Sequence, residues 1–288
     1  MMSTIFLINQ SLIDTATSVL LGISYWTEKL IDERTMHGSL LKWYCHGWNG
    51  HVTVWGVLIG SSYNLVLLSL ERYFSVMYPV AHKNLSRRKA IIAATLVWIV
   101  FICYQYAHQS GTTVVLSTGL CRSFSNWPND LTRRAVGILI VVIQFIIPLV
   151  IIAFSYISLA ISFSKKSASV APSQHAQDMP QRVRKNSIKT FAIVACAFVI
   201  CWIFNQTYFL GFYFGLVSSL TGYYYHFSKF MVFVNCFINP FIYTFRYGEF
   251  KKELRKYRLF KQCFKVSNEI STSGENSAEE KDTKESKF

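Results

Sequence analysis

Residues 55–78 read WGVLIGSSYNLVLLSLERYFSVMY, and this stretch is the most informative part of the sequence. Its first half is apolar and contains several Gly and Ser residues, which are typical of membrane helices that pack closely on other helices. It ends in an adjacent acid and base, Glu71 and Arg72. A charge at bilayer depth costs about 3 kcal/mol on insertion scales. The pair therefore marks either the membrane boundary, with Arg72 reaching the lipid headgroups, or a functional site.

The composition indicates a membrane protein. Hydrophobic residues make up 52% of the 288 residues and aromatic residues 16%, which is too apolar for an ordinary soluble domain. Segments that cross a bilayer need about 20 mainly apolar residues, and in lipid they must be helical to satisfy their own backbone hydrogen bonds. We predict spans at residues 4–26, 42–77, 90–108, 133–163, 186–216 and 222–246.

The formal charge of +14 would suit a nucleic-acid-binding protein, but its distribution excludes that class. Basic residues concentrate in alternate loops and after the last span, whereas the loop at 27–41 mixes acids and bases. By the positive-inside rule, the Arg72 end of the second span and the C-terminus are cytoplasmic. We expect anionic inner-leaflet lipid to be a partner of this charge.

The run SSYNLVLLSLERYFSVMYP at 61–79 strongly resembles the third helix and following turn of rhodopsin-like (class A) G-protein-coupled receptors. Four further motifs of that family occur in order: Asn9 with Asp14, Trp98, Phe198 with Cys201 and Trp202, and Asn239-Pro240 with Tyr243. The resemblance implies an all-α membrane bundle.

The domain organisation follows from the same resemblance. We predict a bundle at residues 1–263 that ends in a short amphipathic membrane-surface helix at 247–260, followed by a disordered cytoplasmic tail at 264–288. The family has seven helices, so the first is expected to be missing here. Either the sequence is truncated, which we favour, or the protein is a genuine six-helix form.

The resemblance also implies a two-state switch that couples ligand binding to a heterotrimeric G protein. In the active state, Arg72 would leave Glu71 for Tyr156 and Tyr243. The implied switch residues are Glu71, Arg72, Tyr73, Tyr156, Phe198, Trp202, Asn239, Pro240 and Tyr243. Phosphorylation of the Ser/Thr-rich tail would add charge that an arrestin reads. The expected location is the plasma membrane.

A possible allosteric sodium ion is the one cofactor that the resemblance implies. The matching positions are Asp14, Ser61, Trp202, Asn235 and Asn239. Oxygen ligands and one negative charge suit a small hard cation.

Four local features complete the prediction. The family pairs cysteines at the positions of Cys45 and Cys121 in a disulfide, and Cys263 could be palmitoylated. Pro148 permits a local bulge in its helix. The segment around Cys121 has the β-branched content of a hairpin that covers the cavity.

The ligand class follows from what this sequence lacks. Val54 and Phe233 stand where amine receptors and opsins of the family keep an Asp and a Lys. We therefore expect a neuropeptide rather than an amine or retinal, bound by mostly uncharged residues. The predicted ligand-binding residues are His51, Trp55, Gln144, Asn205, Gln206 and Tyr208.

Two other functions remain open from the sequence. A six-span transporter or channel would use Asp14 as an ion relay, although the spans show no internal repeat. The second alternative is that the chain is a truncated receptor fragment that does not signal. No nucleophile-base arrangement indicates an enzyme.

Overall fold

The computed structural model describes the backbone of residues 2–169 and 181–246, and side chains within 4–162 and 193–242 except Pro240. The chain divides into two units, Met1–Pro240 and Phe241–Phe288, and every contact given below lies within the first. The predicted surface helix at 247–260, Cys263 and the predicted tail at 264–288 lie outside the described residues, as do the side chains of Pro240 and Tyr243.

The described part of the chain is almost entirely helical, which confirms the predicted all-α class. The elements are α1 (Met2–Leu30), a 3₁₀ turn (Glu33–Thr35), α2 (Gly38–Trp43), α3 (Val52–Met77), α4 (Pro79–Lys83), α5 (Arg87–Thr112), β1 (Val114–Val115), β2 (Cys121–Arg122), α6 (Asp130–Val141), α7 (Ile147–Ser169), α8 (Gln181–Tyr213) and α9 (Tyr223–Arg246). Five helical segments of the described chain are long and apolar enough to cross a membrane: Thr4–Leu30, Gly38–Met77, Arg87–Thr112, Asp130–Ser162 and Ile193–Tyr213. The sixth predicted span coincides with α9.

The central helix is α3, against which α1, α5 and α7 all pack. Its core side chains include Leu58 and Ile59, which are almost fully buried. Gly56 permits the contact with α5, since a Cβ at this position would be only 3.0 Å from the Cα of Ile102. Small residues in this span thus allow close helix packing, as predicted.

The span predicted at 42–77 is not one continuous helix. A π-helical turn at Tyr44–Trp48 follows α2, and the chain then breaks before α3. Gly50 and His51 have φ angles of +74° and +59°, which lie in the left-handed region that interrupts a right-handed helix. This break lies between Cys45 and α3, and it leaves Cys45 close enough to Cys121 to form a disulfide.

The predicted disulfide and hairpin are both present. Cys45 and Cys121 are bonded, with their Cα atoms 5.2 Å apart. Strand β2 carries Cys121 and pairs antiparallel with β1. The backbone N–H of Cys121 also donates to the Glu33 carboxylate at 2.8 Å. The hairpin is therefore held to the π-helical turn before α3 by a covalent bond and to the 3₁₀ turn at Glu33–Thr35 by a hydrogen bond.

A second π-helical turn, Val142–Ile146, joins α6 to α7 just before Pro148. Because proline has no N–H, it cannot complete the helical hydrogen-bond pattern at this point. The Tyr63 hydroxyl of α3 donates to the Ile143 carbonyl at 2.8 Å. The bulge predicted from Pro148 is thus stabilised by a side chain of the central helix.

Candidate ligand cavity and signalling core

A cavity opens at the end of the bundle that carries the β-hairpin, and we call it the hairpin-side cavity. It encloses about 420 Å³ of space, including its opening to solvent. Residues from α3, α5, α6, α8, the second π turn and the hairpin loop form its walls. They are Trp55, Gln105, His108, Phe124, Ile140, Gln144, Asn205, Gln206, Phe209 and Tyr213.

Four of the six predicted ligand residues line this cavity: Trp55, Gln144, Asn205 and Gln206. The other two lie elsewhere. His51 precedes α3 and points its Nε2 toward Glu28 at 3.5 Å. The Tyr208 hydroxyl donates to the carbonyl of Ser219 at 2.7 Å. As ligand contacts, all six residues remain predictions.

Sequence reasoning missed the other six lining residues, which are Gln105, His108, Phe124, Ile140, Phe209 and Tyr213. Gln105 and His108 are polar residues three positions apart in an otherwise apolar span, so they share a helix face, and that spacing was a usable signal. Phe124 has a φ of +56°, a backbone state that nothing in the sequence indicates.

Four of the polar side chains that line the cavity are uncharged amides. Gln206 Nε2 donates to Gln144 Oε1 at 3.4 Å, which is a long hydrogen bond. Gln105 Oε1, Asn205 Nδ2 and Gln206 Oε1 are buried and have no hydrogen-bond partner among the described residues. None of the lining residues is Asp, Glu, Lys or Arg. The cavity therefore offers unpaired amide donors and acceptors to a ligand.

Tyr213 forms one wall and connects three elements. Its hydroxyl lies 3.2 Å from His108 Nε2 of α5, and Arg133 Nε donates to its carbonyl at 3.1 Å. Its ring packs over Gly137 of α6, where a Cβ would be only 2.4 Å from the Tyr213 Cβ. The wall depends on the absence of a side chain at Gly137.

An aromatic core lies next to the cavity along α8. Phe198 and Trp202 are fully buried, with ring centroids 5.9 Å apart, and Phe198 stacks on Phe145 of the π turn at 5.8 Å. Asn205 and Gln206 of the cavity follow Trp202 by three and four residues, so they stand one helical turn from it on the same face. The cavity and the predicted switch residues thus share one stretch of α8.

At the opposite end of α3, Glu71 is buried and lies between two basic side chains. Arg72 Nε is 3.7 Å from Glu71 Oε2, and His82 Nε2 of α4 is 3.0 Å from Glu71 Oε1. The first contact was predicted, whereas His82 was not singled out from the sequence. Tyr73 packs against Phe154 of α7, with ring centroids 5.6 Å apart. Tyr156 lies on the same helix and is partly buried.

A buried polar network surrounds Asp14 in the middle of α1. Gln10 Nε2 donates to Asp14 Oδ1 at 3.0 Å and to Ser61 Oγ at 2.6 Å. The side-chain oxygen of Gln10, Oε1, accepts a hydrogen bond from Asn64 Nδ2 at 2.8 Å. Trp98 Nε1 of α5 donates to Asn9 Oδ1, which extends the network to a third helix.

The predicted sodium ligands fit a cation only in part. Asp14 Oδ2, Asn235 Oδ1 and Asn239 Oδ1 are buried and have no hydrogen-bond partner within the described residues. Cys236, which shares a helix face with Asn235 and Asn239, contacts the Asp14 carboxylate. Asp14 Oδ1 and Ser61 Oγ, however, are already held by Gln10. The donor set as it stands therefore does not match the expected site.

Comparison with known families agrees with this architecture. A model of the family described as 7 transmembrane receptor (rhodopsin family) matches residues 1–243, which is most of the chain. The chain belongs to the rhodopsin family of seven-transmembrane receptors.

Several curated receptors resemble the chain at low sequence identity. Atypical chemokine receptor 3 of Homo sapiens is 26% identical over 230 residues, covering 73% of this chain and 58% of that receptor. Galanin receptor type 2 of Mus musculus is 23% identical over 211 residues, 72% of this chain and 55% of that receptor. Substance-P receptor of Homo sapiens is 22% identical over 157 residues, 53% of this chain and 38% of that receptor. The chain spans less than two thirds of each.

As a rhodopsin-family receptor, the chain is a multi-pass membrane protein. Its relatives are receptors and not enzymes, in agreement with the prediction. The family match favours a receptor over the six-span transporter or channel that the sequence left open.

Proposed function

We propose that this rhodopsin-family protein is a plasma-membrane receptor that binds an extracellular peptide, most simply a neuropeptide, and activates a heterotrimeric G protein. The observation that carries the proposal is the hairpin-side cavity, in which buried and unpaired amide groups stand one helical turn from Trp202. The names of the relatives, receptors for galanin, substance P and chemokines, support a peptide or small-protein ligand.

The chemistry of the cavity favours peptide groups over charged small molecules. A buried polar atom without a partner costs about 1–3 kcal/mol, so a ligand that pairs it recovers that free energy. Backbone and terminal amides of a peptide carry both donors and acceptors, which complement Gln105, Asn205 and Gln206. Trp55, Phe124 and Phe209 supply apolar surface for a side chain next to those amides.

The path from ligand to G protein would run through α8 and α3. A ligand that bonds to Asn205 or Gln206 acts one turn from Trp202, and it shifts the equilibrium only by the difference in its affinity for the two states. In the state that it favours, α8 moves and Arg72 leaves Glu71 for Tyr156 and Tyr243. The cleft opened in this way would accept the G protein on the cytoplasmic side.

Two further parts of the proposal rest on sequence outside the described residues. Phosphorylation of the Ser/Thr-rich segment at 264–288 would recruit an arrestin. Basic residues at 247–260 and a palmitoyl group on Cys263 would hold the end of the bundle on inner-leaflet lipid.

The proposal is tested by presenting a library of neuropeptides to cells that express this chain, with binding and G-protein activation measured in parallel. For an activating peptide, we expect Asn205→Ala and Gln206→Ala each to raise the half-maximal concentration about tenfold, since each loses one hydrogen bond. Thr207→Ala is the matched control, because Thr207 is exposed on the same turn of α8.

The parallel readouts separate the alternatives. Binding that depends on Gln206 without G-protein activation would support a non-signalling receptor form and reject the coupling proposal. Activation that is equally insensitive to Asn205→Ala, Gln206→Ala and Thr207→Ala would reject the cavity as the binding site.

A further inference from the structure

Gln10 takes up an unusual position in the polar network of α1 and α3. Its side-chain nitrogen lies between Asp14 Oδ1, at 3.0 Å, and Ser61 Oγ, at 2.6 Å. An amide nitrogen has two N–H groups, so both donors are used. These are two of the oxygens that the family resemblance assigns to a cation. The nitrogen therefore bridges the same pair of oxygens that a cation would bridge.

The orientation of this amide is set by its neighbours. Gln10 Oε1 accepts from Asn64 Nδ2 at 2.8 Å, and Asn64 Nδ2 also donates to the Phe6 carbonyl at 3.0 Å. Asn9 Nδ2 donates to Asn64 Oδ1 at 2.8 Å. A flipped Gln10 would direct its oxygen at the Asp14 carboxylate and its nitrogen at a donor. Only the observed orientation satisfies both ends.

The surroundings leave this network sealed from solvent. Gln10 and Ser61 are each 1% exposed and Asn64 is fully buried. Hydrogen bonds in such an environment are strong, and a buried donor without a partner raises the free energy of the folded protein. Rotation of Gln10 away from Asp14 would break its bonds to Asp14, Ser61 and Asn64 together.

We propose that the Gln10 carboxamide takes the place of the cation between Asp14 and Ser61. Sodium then binds this receptor only weakly, and replacing sodium by potassium leaves the stability of the receptor unchanged. The remaining unpaired oxygens, Asp14 Oδ2, Asn235 Oδ1 and Asn239 Oδ1, constitute the part of the site that Gln10 does not fill. The proposal requires neither a ligand nor a G protein, so it stands or falls separately from the proposed function.

The test compares thermal unfolding of the purified, detergent-solubilised chain in sodium and in potassium chloride at about 150 mM, the physiological ionic strength. For the wild type we expect the same Tm in both salts. For Gln10→Leu, which removes both donors, we expect sodium to raise the Tm by about 5 to 10 °C if the salt is present at about 100 times its dissociation constant.

Three further variants make the result specific. Asp14→Asn added to Gln10→Leu should abolish the sodium effect, because the negative ligand is gone. Gln10→Glu, which keeps the shape of the side chain and adds a carboxylate, should show a sodium effect of its own and serves if Gln10→Leu does not fold. Ser11→Ala is the control on the exposed face of α1 and should behave as the wild type.

Either of two results would overturn the proposal. One is a sodium-specific rise in the wild-type Tm as large as that of the variants, which would mean that Gln10 does not compete. The other is a folded Gln10→Leu or Gln10→Glu protein without any difference between sodium and potassium, which would mean that no cation site lies beneath Gln10.

Discussion

At the scale of single residues, Gly137 shows how one missing side chain shapes the cavity wall. Tyr213 packs so closely over α6 that a Cβ on Gly137 would lie 2.4 Å from the Tyr213 Cβ. Real atoms do not approach so closely, and the obstructing atom belongs to a fully buried residue that cannot swing away. The contact sets the distance between α6 and α8 on one side of the cavity.

Gly137→Ala is therefore predicted to destabilise the receptor by about 1–3 kcal/mol, the usual cost of overpacking. The measurement is the Tm of the purified protein, together with its level at the cell surface. Gly111→Ala is the matched control, because nothing lies within 4 Å of a Cβ at that position. Equal Tm values for the two variants would contradict the packing argument.

Other single residues mark the limit of what a local pattern can indicate. Asn205 and Gln206 could be predicted as ligand-binding residues because they closely follow Trp202, which belongs to a motif of the family. Gln10 was not predicted, because its role depends on hydrogen bonds to Ser61 and Asn64, which are 51 and 54 residues away in sequence. Nothing in the sequence near Gln10 distinguishes a bridging amide from one that merely packs.

At the scale of secondary-structure elements, α3 and α4 are joined at the end of α3 away from the hairpin by Glu71 and His82, with 3.0 Å between Oε1 and Nε2. Glu71 is buried, and Arg72 and His82 both lie against it. The α3–α4 contact thus stabilises the arrangement in which Glu71 and Arg72 remain paired.

We predict that His82→Ala raises ligand-independent G-protein activation about fivefold, since the loss of about 1 kcal/mol from one of two states shifts their ratio by that factor. Basal activation in cells, normalised to receptor at the surface, is the measurement. Lys83→Ala, an exposed basic residue on the same short helix, should leave it unchanged. An equal rise in both variants would attribute the effect to charge in this loop and not to the Glu71 contact.

At the scale of the whole molecule, the distribution of charge predicts the orientation of the bundle in the membrane. Basic loops alternate with loops of mixed charge, and the disulfide-bonded hairpin lies on the side without the basic excess. From the positive-inside rule we predict that the hairpin lies outside the cell and the C-terminus in the cytoplasm. An oxidising exterior is consistent with the bond between Cys45 and Cys121.

An epitope inserted after Ser117, an exposed residue at the tip of the hairpin, is predicted to bind antibody on intact cells. An epitope added after Phe288 should bind only once the membrane is permeabilised. Flow cytometry of the two forms gives the answer. The reverse pattern would invert the proposed topology and place the hairpin-side cavity out of reach of an extracellular ligand.

Taken by itself, the sequence determined most of the helical segments and the family to which the chain belongs. Those properties depend on local composition and spacing, because a bilayer requires long apolar helices and a motif is read along the chain. Tertiary structure alone decided which atoms meet: Gln10 between Asp14 and Ser61, His82 against Glu71, Gly137 beneath Tyr213, and His51 and Tyr208 outside the cavity lining. These contacts depend on the rotation and separation of packed helices, which arise from all the side chains between them at once.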